Sequence, residues 1–170
     1  MSTTLGSQGA IFNQAQDVVT LVQSNPTALA AAQAMLQLGG AIKYTAGSSA
    51  GQVNTAYSVA ALAVVAGAPQ SLKFVTAGAL VDALNNVINL ANVKFIVIQA
   101  AVTNTANVVI SGDLLNSIFG STFSLTLAPG AMLKVIDPGT GWTVTRSAAD
   151  TITITSASVT QTVAVLVGGG

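Results

Sequence analysis

Histidine, glutamate and cysteine are missing from this chain of 170 residues, and charge of either sign is nearly so. Each absence removes a class of chemistry. Without cysteine there are no disulfides, no thiolate nucleophile and no cysteine-ligated zinc. Without histidine, a serine nucleophile lacks its usual imidazole base. Lysine is then the one activator left, and no Ser-x-x-Lys pair stands in a helical setting. Without glutamate, an acid–base pair has to be assembled from the five aspartates, Asp17, Asp82, Asp113, Asp137 and Asp150. The basic residues are Lys43, Lys73, Lys94, Lys134 and Arg146. They form no cluster that would follow a phosphate backbone, so no nucleic-acid partner is expected.

Charged residues make up 6% of the chain, against about 25% in an ordinary soluble domain. Formal net charge is zero and mean hydropathy is +0.69. An isolated monomer keeps a mixed, charged surface and a net charge away from zero. This composition implies a surface largely withdrawn from water, as in a membrane protein, a fibre or a subunit of a large assembly. The longest clean apolar run, Val59 to Ala68, is about half of the roughly 20 residues that a spanning helix requires. No membrane partner is therefore expected. The opening MSTTLGSQGA has no basic segment leading into an apolar one, so no signal peptide is expected either.

What is present is strand pattern. From Ser121 to Val167, short runs of β-branched and large apolar residues alternate with small polar ones. Phe123, Leu125 and Leu127 share one parity. So do Leu133 and Val135, Ile152 and Ile154, and finally Val163, Val165 and Val167. A period of two buries one face of each strand. Pro129-Gly130, Asp137-Pro138-Gly139 and the Ala148-Ala149-Asp150 corner supply the turns. The runs read as a meander closing a β-sandwich. Upstream, Val93 to Ala101 is apolar on both faces, as in a central strand covered on both sides. Ser71 to Val75 and Ala106 to Ser111 are further strands, and Leu114 to Phe119 is a helical turn or a loop closed by Gly120.

The first half reads differently. Thr27 to Leu38, rich in alanine and ended by Gly39-Gly40, predicts a helix packed close to another backbone. Asn13 to Ser24 suits a short helix or a strand. Val53 to Gly67, apolar all round in its second half, predicts a helix buried on all sides. Thr76 to Leu90 predicts an amphipathic helix with Leu80, Leu84, Val87 and Ile88 on its apolar face. The expected fold is thus α+β: an Ala-rich helical N-terminal part followed by an antiparallel β-sandwich of jelly-roll or immunoglobulin-like type. Its divisions are an arm over 1–25, a helical assembly region over 26–92 and the sandwich over 93–170.

Candidate chemistry is sparse. Asp137 and Asp150 stand beside turns, where aspartate serves the backbone, and two carboxylates are too few for a calcium site. Gly139-Thr140-Gly141 lies between strands, and no Lys-Ser/Thr or helix follows it, so it is no phosphate loop. Trp142, the single tryptophan, is either a sugar-stacking platform or a core or subunit contact. No catalytic, cofactor or metal residue is expected. Arg146 is expected to pair with Asp137 or Asp150, or across a subunit boundary.

The closing run GTGWTVTRSAADTITITSASVTQTVAVLVGGG resembles the last strands of small β-sandwich structural proteins of tailed bacteriophages, such as head decoration (cement) proteins and head-fibre bases. The resemblance lies in Asp150 to Thr155, a D-x-I-x-I-T strand, then a Ser/Ala-rich turn, then the alternating valines of Thr162 to Gly168. It covers about the last third of the chain. It implies a structural role in a virion, often as a trimer, alongside the major capsid protein or other virion proteins, and no active site. Composition points the same way, because an uncharged chain gains stability by burying surface against identical copies. Ile11, Phe12, Leu80, Leu84, Val87 and Ile88 are the expected contact residues. The competing readings are a carbohydrate- or host-binding module using Trp142, Tyr44 or Tyr57, a hydrolase using aspartates, and a major coat or tube subunit.

Overall fold

The computed structural model describes residues 44–75, 80–81 and 87–170. The expected arm over 1–25 and the expected Thr27–Leu38 helix lie outside the described residues. Within them the chain is mostly β, with one α-helix. The strands are β1 (Thr45–Ala46), β2 (Gln52–Val53), β3 (Thr55–Val64), β4 (Gln70–Lys73), β5 (Asn92–Ala100) and β6 (Val108–Ser111). After helix α1 (Asp113–Phe119) follow β7 (Ser124–Leu127), β8 (Met132–Ile136), β9 (Trp142–Thr143), β10 (Thr151–Ser156) and β11 (Gln161–Gly169).

Two antiparallel sheets face each other. One runs β4-β10-β6-β7; the other runs β3-β11-β5-β8, with β9 continuing along β5 beyond the end of β8. Parity decides what lies between them. Ile152 and Ile154 of β10, Val108 and Ile110 of β6, and Leu72 of β4 meet Val163, Val165 and Val167 of β11 and Ile96 and Ile98 of β5 in one buried core. Leu125, Leu133 and Val135, the apolar parity of β7 and β8, pack partly buried against it. Leu114 and Leu115 enter the same core from α1, whose last turn closes with Gly120 N–H donating to the Asn116 carbonyl. A second, smaller cluster of Tyr44, Val53, Ala56 and Phe95 sits on the other face of the β3-β11-β5-β8 sheet.

Three expectations are corrected. Val53 to Gly67 is not a buried helix. Thr55–Val64 is a ten-residue strand paired along its length with β11. An unbroken apolar run does not distinguish a helix from a strand, and here the valine-rich partner strand overrides alanine's helical preference. Thr76 to Leu90 is not helical at its described positions either. Val81 bridges Val87, Val75 bridges Asn89, and Ile88 N–H donates to the Leu80 carbonyl, all antiparallel pairings. Ile88 and Leu90 are buried while Asn89 between them is exposed, which is a period of two. The described part of the 26–92 stretch therefore supplies β3 and β4 to the two large sheets, while β1 and β2 form a short parallel pair of their own. Finally, the C-terminal strands are not a simple meander. β7 pairs β6, β8 pairs β5, β10 lies between β4 and β6, and β11 lies between β3 and β5, so the chain alternates between sheets.

Candidate assembly surface

The two ends of the sandwich differ in charge. At the entry end, where Tyr44 enters, lie Lys73, Lys94, Asp113, Asp137, Arg146 and Asp150, with Lys134 midway along β8. At the opposite end four connections come together: 65–69, 101–107, 128–131 and 157–160. Their sequences, VAGAP, AVTNTAN, APGA and ASVT, hold no charged residue. Val102 there is 81% exposed, and Val65 and Val159 are 47% and 44% exposed.

This uncharged end is held in place by two amide side chains. Gln161, 2% exposed, accepts hydrogen bonds at Oε1 from Thr105 N–H (3.0 Å) and Ala106 N–H (3.2 Å), and its Nε2 donates to the Val159 carbonyl at 3.3 Å. Asn104 pairs reciprocally with Thr162: Nδ2 donates to the carbonyl at 2.9 Å, and Oδ1 accepts the N–H at 2.8 Å. Ser156 Oγ donates to the Val159 carbonyl at 2.6 Å. Backbone groups that would otherwise prefer water are thus satisfied internally. The apolar side chains stand on fixed loops, and a surface ordered in advance loses little entropy on docking. Neither amide stood out in the sequence, since a glutamine at the head of a valine strand looks like a turn residue.

A second feature is the outer edge of β3, which no other described strand pairs. The other edge strands are short, and each has a guard: Pro69 and Lys73 at β4, Pro129 after β7, Lys134 and Pro138 at β8. β3 has ten residues with no charge and no proline, and its one irregularity is a bulge at Ala60-Ala61 opposite Ala164. Long unguarded edges invite pairing with another chain.

The entry end is built for rigidity. Lys94 is wholly buried, and its ammonium donates to the carbonyls of Ser48 (3.1 Å), Ser49 (2.5 Å) and Gln52 (2.7 Å). Three donors meet three acceptors, which compensates the burial of the charge. Tyr44 Oη lies 2.9 Å from the Asp137 carbonyl and 3.1 Å from that of Lys94, sharing its proton between them. Burial, and then the charge of Asp137, push the Tyr44 phenol up to about 12.

The three described aspartates serve the backbone. Asp137 Oδ1 accepts Gly139 N–H at 2.7 Å. Asp113 Oδ1 accepts the N–H groups of Asp150 (3.0 Å) and Thr151 (2.6 Å), and Asp150 accepts Ser147 N–H and the Thr151 hydroxyl. Burial works to raise the Asp150 pKa, but those two hydrogen bonds and the charges of Lys73 and Arg146 outweigh it and hold the carboxyl below its ordinary value. Among the described residues no group of three acidic or metal-ligating side chains is placed to hold an ion, and no side-chain polar atom is buried without a partner. Nor, among them, is any helix long and apolar enough to cross a membrane.

The expected contact residues scatter. Ile11, Phe12 and Leu84 lie outside the described residues. Ile88 is fully buried in the protein's own core, so it is not available to a partner. Leu80 packs partly buried against that core, and Val87 is 51% exposed at the entry end. Trp142 is half-buried against the core on β9, beside Val93 of β5. Tyr44 and Tyr57 are buried, which leaves Trp142 as the one aromatic of the three with open surface. Comparison with family models, with curated proteins and with solved structures gives no match for this chain.

Proposed function

We propose that this chain is a non-enzymatic structural subunit of a virion, working as a homo-oligomer in capsid decoration or fibre attachment. The observation that carries the reading is the rigid, charge-free end bearing Val65, Val102 and Val159, set opposite an end that holds most of the charge. A rotation axis through that end brings identical uncharged loops together without repulsion, and their apolar surface is removed from water. We take the occupant of this surface to be further copies of the same chain, three about one axis, as the resemblance of the last strands implies.

Strand order supports the same class. We read the eight longer strands as a jelly roll. Counted in chain order, one sheet runs first, eighth, third, sixth and the other second, seventh, fourth, fifth. That architecture serves virus shells, and it serves lectins and cupins as well, so the function leans on the surface rather than on the topology.

The test is the native mass of the full chain, combined with substitution at the uncharged end. Val102→Glu with Val159→Glu is expected to weaken self-association by at least about tenfold, because like charges must then be buried together in the contact. Thermal stability should be unchanged, since both side chains point to solvent. Self-association that survives both charges would refute this assignment of the contact.

A further inference from the structure

The outer faces of the two sheets are unlike. The β3-β11-β5-β8 sheet turns a mostly apolar face outward, with Ser58–Leu166–Val97–Lys134 as one row across it. The outer face of the β4-β10-β6-β7 sheet is rich in hydroxyls. Its row nearest the entry end that crosses all four strands is Ser71–Thr153–Ser111–Ser124, and the next is Thr155–Val109–Thr126. The four hydroxyls of the first row have no partner among the described residues. That row ends beside an aromatic pair. Ser124 follows Phe123, whose ring stacks on that of Phe119 with centroids 4.5 Å apart and planes 23° from parallel. Phe123 packs against the core, while Phe119 is 46% exposed. One face of the Phe119 ring is therefore backed by protein and the other is presented to solvent. The loop that carries it is fixed. Asn116 accepts Phe123 N–H at Oδ1 (2.7 Å) and Gly120 N–H at its carbonyl (2.9 Å). Thr122 is held at φ 65°, a left-handed conformation that a β-branched residue rarely adopts, and such strain collects at ligand sites. Beside the ring there is open space: a Cβ on Gly120 would meet nothing within 4 Å.

We propose that the open face of Phe119, with the hydroxyl row beside it, binds an oligosaccharide of neutral pyranose units. Chemistry is the first argument. The negative face of an aromatic ring attracts the slightly positive C–H groups of a sugar. A serine or threonine hydroxyl both donates and accepts, as a sugar hydroxyl does, and neither the row nor residues 114–133 carry a charge. Size is the second. One ring face set among Gly120, Ser121 and Thr122 falls far below the roughly 800 Å² per partner of a specific protein contact, yet it suffices for one sugar ring. Spacing is the third. The row offers one hydroxyl per strand, about 4.8 Å apart, which is close to the length of one sugar unit, so a glycan lying across the strands meets a hydroxyl at each unit. The loop lies at the entry end, since β6 leads into it there and β7 leaves it opposite Ser111. Copies joined at the uncharged end would hold their rings on the far side and grip a repeating glycan together. The site itself does not depend on that joining.

The test is retention of the full-length protein on an array of neutral oligosaccharides built from glucose, galactose, mannose and N-acetylglucosamine, followed by calorimetric titration with a retained glycan. The native chain is expected to hold at least one. Phe119→Ala should weaken that binding by at least about tenfold, and Thr153→Val by about threefold, through loss of stacking and of one hydroxyl. Phe119→Trp should keep it or strengthen it, and Trp142→Ala should leave it within about twofold. Near-ultraviolet circular dichroism checks that each variant stays folded. An array that retains nothing would overturn the proposal, as would binding that Phe119→Ala leaves intact or that only Trp142→Ala removes. A native mass that falls on Phe119→Ala, with no glycan bound, would make the ring a contact between copies and overturn it too. A chain that binds glycan through Phe119 yet stays monomeric supports the site and refutes the assembly alone, so the two readings fail separately.

Discussion

Lys94 joins the β1–β2 segment to the sheet, and no pattern rule pointed to it. By alternation it shares the face of Ile96 and Ile98, where an ammonium has no business unless carbonyls await it. Those carbonyls come from residues 48–52, more than forty positions away in sequence, so only the fold reveals them. Replacing Lys94 with Met keeps the volume and removes the three hydrogen bonds. Chemical denaturation should show a loss of about 2–3 kcal/mol, and an unchanged midpoint would contradict the arrangement. Tyr44 gives a test in pH. Its folded pKa is raised, so the stability it contributes is whole below its ordinary value of 10.0 and is lost as pH rises toward about 12. Unfolding midpoints measured from pH 9 to 12 should fall more steeply for the native chain than for Tyr44→Phe. Gly168, where the run of alternating valines ends, has a packing reason as well: a Cβ there would overlap the Phe95 ring.

At the scale of the element, alternation was a sound guide to faces and a poor one to neighbours. Ile152, Ile154, Val163, Val165 and Val167 are all buried as their parity demanded. Parity cannot say that β10 lies between β4 and β6, since pairing is set by long-range contacts across turns. β3 shows the complementary failure. Its alanines carry helical preference, and the residues that decide its state sit in β11, about a hundred positions later. The apolar double face of Val93 to Ala101 was legible and correctly marked a strand inside its sheet. Trimming the β3 edge offers an element-level test. An Ala61→Lys change, at an exposed position on that edge, should leave the thermal midpoint within about 1 °C, as for a surface site. It should also lower the turbidity that develops in concentrated stocks on heating. Unaltered turbidity would show that the edge is already covered.

For the whole molecule, the composition that first suggested an assembly now has a spatial form. The few charges are not spread over the surface. Within the described residues all but Lys134 gather at one end, where Lys94, Asp113, Asp137 and Asp150 are used internally. That leaves the opposite end, the hydroxyl face and the apolar face with little repulsion to keep copies apart. The sequence made the scarcity legible, but not its geography, which depends on which loops the sheet order collects at one end. The most direct measurement is the native mass of the full chain by sedimentation velocity across a wide concentration range. A discrete closed oligomer, with a trimer as the expected species, is the result this account predicts. A single copy that stays monomeric at the highest concentrations would contradict it.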